Sequence, residues 1–290
     1  MQDLRKAGVE VAVFRPLRLK TLYKVQQRMH VRSIVIDGRV GYTGGFAIDD
    51  RWLGDGRHAN QWRDTNVRLQ GPVVTQLQVA FSANWAEATG ELLMGETLFP
   101  LDATLDGGQE AGIMQGSPSL GSTNAERLFV LFIAAARQRL YITNAYFVPG
   151  EDFRSLLIKT AQRGVDVRVL TPGSNTDQPL AWYAGRAHYA DLLEAGVRIY
   201  EYRPTMVHAK TFIVDGLWAT VGTFNFDNRS LKLNEEVALV VREAAFCKQL
   251  ETIFLEDLDY ADEVSLEAVR QRTRRERLKE QGARLLAPLL

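Results

Sequence analysis

The sequence predicts an α/β fold in two pseudo-symmetric halves, each a mixed, mostly parallel sheet flanked by helices, on three observations. First, residues 123–202 alternate apolar strand-like runs with amphipathic helical stretches, which implies parallel strands with helices packed outside. Second, the chain repeats itself. Aligned on the histidines, residues 30–51 and 208–229 agree at His30/His208, Asp37/Asp215, Gly38/Gly216, Gly44/Gly222, Phe46/Phe224, Asp49/Asp227 and Arg51/Arg229. Third, residues 208–215 are β-branched and aromatic between Pro204 and Gly216, so they read as a buried strand. Alternation along that strand puts His208 and Lys210 on one face and Asp215 on the other.

Taken in order, residues 9–14 read as a strand. The basic connection 15–28, with Arg15, Arg18, Lys20, Lys24 and Arg28, reads as a solvated loop, or alternatively as a contact for anionic head groups. Residues 30–37 form the next strand, Gly38 a turn, and a second strand runs into Gly44. The polar loop 49–61 borders a site mouth. Residues 62–69 read as a strand, and Pro72 opens a helix to about residue 91. Residues 101–122, rich in Gly, Asp and Ser, read as the linker between halves.

The second half then runs as helix 123–138, strand 140–148, helix 151–163, strand 165–170, helix 179–195 and strand 197–202, followed by the motif strands, strand 235–242 and helix 244–260. The expected domains are residues 1–100 (first motif 30–47), linker 101–122, residues 123–262 (second motif 208–225), and a basic, apolar-ended tail at 263–290. The tail reads as a solvated helix or an interfacial anchor.

Lys plus Arg and Asp plus Glu both number 35, which argues against a nucleic-acid partner that must track phosphates with a basic surface. The single cysteine, Cys247, excludes a disulfide framework and a multi-cysteine metal site and reads as a small buried side chain. No apolar run reaches the ~18 residues of a membrane-spanning helix. His58 in the polar loop and His188 on a surface helix are given no chemical role.

An imidazole, an ammonium and an amide converging on one face suit phosphate chemistry. Imidazole attacks or moves a proton, while Lys and Asn donate to phosphoryl oxygens. The pattern His208, Lys210, Asp215, Gly222, Thr223, Asn225 resembles the signature of the phospholipase D superfamily. Gln61-Trp-Arg-Asp-Thr65, Tyr146-Phe-Val-Pro149, Arg163-Gly-Val-Asp-Val-Arg168, Leu193-Glu-Ala-Gly-Val-Arg-Ile-Tyr200 and Arg284-Leu-Leu-Ala-Pro-Leu-Leu290 are similar to its bacterial cardiolipin synthase group.

The resemblance implies two phospholipase D-like halves and a phosphatidyltransferase that joins two phosphatidylglycerols into cardiolipin and glycerol through a phosphohistidine, without metal or cofactor. It implies His30 as nucleophile and His208 as acid/base, with Lys210, Asn225, Thr223 and Arg32 on the substrate phosphate. Asp64 and Glu236 match family positions that fix the histidines' second ring nitrogens. Asp37 and Asp215 are expected to be structural. Arg32 replaces the family's Lys, and Ala47 its Asn; losing one preorganised donor costs ~10²–10³ in rate where it bears on the transition state.

The family carries a segment like 123–189 ahead of its first motif, so the first half is expected to be truncated at its N-terminus. The implied setting is a phospholipid substrate at the bacterial cytoplasmic membrane, with this chain peripheral. A phosphodiesterase or nuclease of the same fold, and a degenerate lipid-binding fragment, stay open as alternatives.

Overall fold

The structure is a computed structural model that describes residues 1–16, 27–101, 108–118 and 123–287. One helical turn, α1 (Gln2–Lys6), precedes an antiparallel sheet of β1 (Ser33–Ile36), β2 (Val40–Gly44) and β3 (Asn66–Gln70), backed by α2 (Val73–Thr89). After β4 (Glu110–Gly116) come α3 (Asn124–Ala135), β5 (Arg139–Asn144), α4 (Glu151–Gln162), β6 (Asp166–Pro172), α5 (Pro179–Arg186), α6 (Tyr189–Glu194) and β7 (Arg198–Tyr202). Then follow β8 (Lys210–Val214), β9 (Trp218–Gly222), α7 (Asn228–Lys232), β10 (Glu236–Arg242), α8 (Ala244–Leu258), β11 (Ala261–Glu263), α9 (Leu266–Arg270) and α10 (Arg274–Leu286).

The duplication surfaces first as two hairpins with one kind of turn. Asp37-Gly38 joins β1 to β2 with φ of 51° and 64°, and Asp215-Gly216 joins β8 to β9 with φ of 53° and 67°. Positive φ at both central residues is the two-residue turn whose twist matches that of the strands. Both aspartates therefore sit in turns rather than on the far face of a strand. Asp215 also accepts from the backbone nitrogens of Arg137, Gln138 and Arg139 at 2.8–2.9 Å, tying its hairpin to the start of β5.

The large sheet has the order β11-β7-β6-β5-β8-β9-β10-β4. Only β5–β6 and β6–β7 are parallel, while every other pair, including the whole small sheet, is antiparallel. The expected mixed sheet is thus present, with antiparallel rather than parallel pairs in the majority. Helical crossovers generate the two parallel pairs, and tight hairpins around the motifs impose the antiparallel ones.

Both faces of the large sheet are covered. Phe129, Ile133, Leu157 and Leu192 from α3, α4 and α6 pack with Leu140, Ile142 and Phe212 on one face. On the other, Tyr141, Leu170, Ile213 and Val221 meet α8 through Cys247, Leu250 and Phe254. The small unit reaches the same face through Val67, Leu69, Val74 and Leu77.

Several expectations change. Residues 9–14 form no strand. Unlike β7, which is held between β6 and β11, they have no strand neighbours among the described residues. The basic connection falls largely on residues 17–26, outside the described ones. The supposed linker contains β4, whose unpatterned sequence Glu-Ala-Gly-Ile-Met-Gln-Gly is held as a strand by a seven-residue antiparallel register on β10.

The helix expected over 179–195 breaks at Ala187-His188, and His188 is buried at the break rather than on a surface helix. The tail folds back. α10 starts on a Thr273 capping box and packs on α5, burying Ala283 beside Ala181 and Ala184, and Glu280 beside Arg186 and Arg272.

Candidate active site

His30 and His208 lie just before β1 and β8, where the backbone leaves the sheets. The chain there makes the same exchange twice. His30 N donates to Glu235 O at 2.8 Å and Glu235 N to Arg28 O at 2.9 Å. His208 N donates to Arg63 O at 2.7 Å and Arg63 N to Met206 O at 2.9 Å. Each exchange sets a histidine beside the residue just before a carboxylate of the other repeat. The side chains complete it, with His30 Nδ1 2.8 Å from Glu236 Oε2 and His208 Nδ1 3.0 Å from Asp64 Oδ2.

A carboxylate at Nδ1 fixes the Nδ1–H tautomer and leaves the Nε2 lone pair for chemistry. At His30 that lone pair faces Arg32, whose Nη2 is 3.4 Å away. At His208, Lys210 Nζ lies between the two ring nitrogens, 2.9 Å from Nε2 and 3.0 Å from Nδ1. Arg32 is anchored by the carbonyls of Gly45 and Phe46, the latter at 3.0 Å. The structure thus brings His30, His208, Lys210, Arg32, Asp64 and Glu236 into one cluster.

Burial sets the electrostatics. It pulls Lys210 down to about 7, against the opposing charge of Asp64 and with help from Arg32. His208, also buried, is pulled to about 3 by desolvation and the Lys210 charge, although Asp64 acts the other way. Burial would raise Asp64, but hydrogen bonding and charge from His208, with Lys210 and Trp52, hold it below the ordinary carboxylate range. Desolvation likewise lowers Arg32. His208 is the enclosed member of the pair at 4% side-chain exposure, against 23% for His30.

Two expected phosphate ligands fare differently. Asn225 is buried with its Oδ1 unpartnered, while its backbone nitrogen is held by Ser230 Oγ at 2.8 Å. Thr223 is fully buried, and its hydroxyl donates to Val237 O at 3.1 Å and accepts from Val237 N at 2.9 Å, which spends its one donor within the sheet. Ala47, at the position of Asn225, carries no side-chain donor.

Several residues at the site escaped the sequence reading. Trp52 Nε1 donates to Asp64 Oδ2 at 2.8 Å, and Ser230 Oγ donates to Glu236 Oε1 at 2.6 Å. Trp52 and Trp62 pack on the His208 ring with centroids at 5.4 and 5.3 Å, and Tyr146 lies at 6.3 Å. Arg51 stacks over Trp62 at 4.4 Å. Asp227, buried and pushed up to about 6 by desolvation, caps α7 through Ser230 N. The repeat alignment was the available signal, since it sets Trp52 against Ser230. Among the described residues no group of three or more His, Cys, Asp or Glu is placed to share a metal ion.

Residues 130–258 match the family model described as "Cardiolipin synthase, PLD-like domain". The chain is 39% identical over 292 residues to "Cardiolipin synthase" of Geobacillus sp. (strain WCH70), covering 100% of this chain and 58% of that protein. It is 37% identical to "Cardiolipin synthase A" of Pseudomonas fluorescens (strain SBW25), over 100% of this chain and 60% of that one. The chain thus spans little more than half the length of these curated relatives. Among solved structures, the phosphatidylserine synthase of Haemophilus influenzae Rd KW20 superposes with a TM-score of 0.73 at 12% identity, covering 99% of this chain and 77% of that chain. That likeness is one of fold.

Proposed function

We propose that this chain, a cardiolipin synthase-like member of the phospholipase D superfamily, transfers a phosphatidyl group between two alcohols through a phosphohistidine. Phosphatidylglycerol serves as both donor and acceptor. The observation that carries this reading is the pair of histidines, each clamped at Nδ1 by the other repeat's carboxylate.

In the first step His30 Nε2 attacks phosphorus and a P–N bond forms. The P–O bond to glycerol breaks, and His208 gives its proton to the leaving oxygen. In the second step the hydroxyl of another phosphatidylglycerol attacks phosphorus. His208 takes that proton, and the P–N bond breaks to release cardiolipin. His30 suits attack because it is the more exposed imidazole and Glu236 fixes its tautomer.

Lys210, Arg32 and Asn225 offer donors for the equatorial oxygens. A phosphate that draws Lys210 off the His208 ring removes a charge that depresses His208, which favours its protonated form in the complex. We assign the two exchanged motif pairs to two pseudo-symmetric halves sharing one site. The duplicated hairpins support this reading, and so do the duplicated backbone exchanges.

The chain's place is at the surface of an anionic bilayer. Among the described residues no helix is long and apolar enough to cross a membrane. α10 turns Leu278 and Leu285 outward beside Arg274, Arg275, Arg277, Lys279 and Arg284. Incubating the chain with phosphatidylglycerol vesicles tests the function. Cardiolipin with equimolar glycerol supports the transferase, phosphatidic acid replaces it with a hydrolase, and binding without product overturns both.

A further inference from the structure

The geometry points to Trp52 and Ser230 as the positioning residues of the two histidine–carboxylate pairs, one task performed at equivalent places in the repeat by different chemistry. Position 52 follows Asp49-Asp50-Arg51 as position 230 follows Asp227-Asn228-Arg229. Asp49 and Asp227 cap the short helical turns that carry the two residues, accepting from Arg51 N at 3.0 Å and Ser230 N at 2.7 Å. An Asp-capped helical turn, 3-10 at Asp50–Trp52 and α at Asn228–Lys232, thus presents each side chain to a buried carboxylate.

Asp64 is fully committed. Its Oδ1 accepts from Thr65 N at 2.8 Å, and its Oδ2 is shared between Trp52 Nε1 and His208 Nδ1. Glu236 is held in parallel, with Oε1 accepting from Ser230 Oγ and from Asn234 Nδ2 at 3.2 Å, which leaves Oε2 for His30. A buried carboxylate with unfilled acceptor sites rotates to find donors. Filling those sites pins the oxygen that orients the imidazole. The indole reaches where a serine cannot, because Asp64 follows a longer loop after its motif than Glu236 does. Trp52 also lays its ring edge-on to His208, fixing the ring plane as well as its partner.

This inference rests on the proposed phosphohistidine function, but its test need not. Trp52→Phe keeps an aromatic ring at the site but deletes the donor together with part of the indole, Ser230→Ala deletes the hydroxyl, and Ser230→Thr restores it. With phosphatidylglycerol vesicles, each deletion is expected to lower kcat about tenfold, with KM unchanged in Trp52→Phe and raised in Ser230→Ala, which also frees Asn225 N, and Ser230→Thr is expected to recover most of both.

Independently, ¹⁵N spectra of ring-labelled protein are expected to show a pure Nδ1–H pattern for His208 in the parent and mixed tautomers in Trp52→Phe. The corresponding change at His30 is expected in Ser230→Ala. Cooperative melting of each variant certifies folding. Unchanged tautomers at both histidines in folded variants overturn the assignment, even if the chain makes no cardiolipin. Tautomer shifts in the variants, with a parent that makes no cardiolipin, overturn only the function.

Discussion

His30 Nδ1 meets Glu236 Oε2 at 2.8 Å although 206 residues separate the two. The backbone nitrogen of His30 simultaneously grips the carbonyl of Glu235. Ring and main chain are thus registered together, so the imidazole has little freedom to swing away from its acceptor.

Removing either histidine is expected to abolish transfer, and removing both to cost little more than removing one, because the two act as a unit. His208→Asn, given a substrate whose leaving group needs no acid, is expected to trap phosphoryl label on His30. His30→Asn is expected to trap none. Acid-quenched labelling followed by peptide mapping checks this, and label found on His208 with His30 dispensable would reverse the roles.

Thr223→Val is expected to act on stability rather than on substrate. The lost hydroxyl leaves Val237 N without its 2.9 Å acceptor in a buried ladder, at a cost of about 1–3 kcal/mol. Urea melts give the stability change and initial rates give KM. A large rise in KM with unchanged stability would return Thr223 to the phosphate site.

His188 is expected to make the fold acid-sensitive. Desolvation, with the charges of Arg154 and Arg284 against that of Asp191, holds it at about 4, below its ordinary 6.5. Between those values this ring binds more protons in the unfolded chain, so its contribution to stability falls as pH drops from 6.5 towards 4 and levels off below. The slope reaches at most about 1.4 kcal/mol per pH unit, less where solvent screens the ring. His188→Asn is expected to flatten that part of the profile in urea melts taken from pH 7.5 to 4.5. An identical slope in the variant would exclude the assignment.

The tail offers a fourth test. Truncating it would pull Ala283 and Glu280 out of their packing with α5, so deletion confounds folding with binding. Replacing exposed Leu278 and Leu285 with Gln leaves that packing intact and is expected to weaken sedimentation with phosphatidylglycerol vesicles at least tenfold. Added salt is expected to weaken the parent further. Equal sedimentation of parent and variant would remove the membrane role of α10.

What the sequence disclosed was local. The turn at Gly38, the motif strands and the helix opening at Thr123 are each specified within a few residues, and the duplication made the motif strands visible twice. What it hid depends on distant partners. β4 is a strand because β10 offers it an edge, and its own pattern carries no sign of that. Thr223 looks like a ligand in the motif until Val237 is placed against its hydroxyl. His188 is buried because α5 stops one residue short of it and turns inward, which apolar periodicity across the break does not reveal. Which carboxylate serves which histidine likewise follows only from docking one repeat on the other.

The crossed clamps also impose an order on synthesis. A ribosome delivers His30, then Asp64, then His208, and Glu236 last, so His30 has no ring partner until β10 has been made and paired. His208 differs, because its partner Asp64 is already made when it emerges. Under the proposed mechanism the nucleophile is thus the last group to be positioned, once β10 has closed the site.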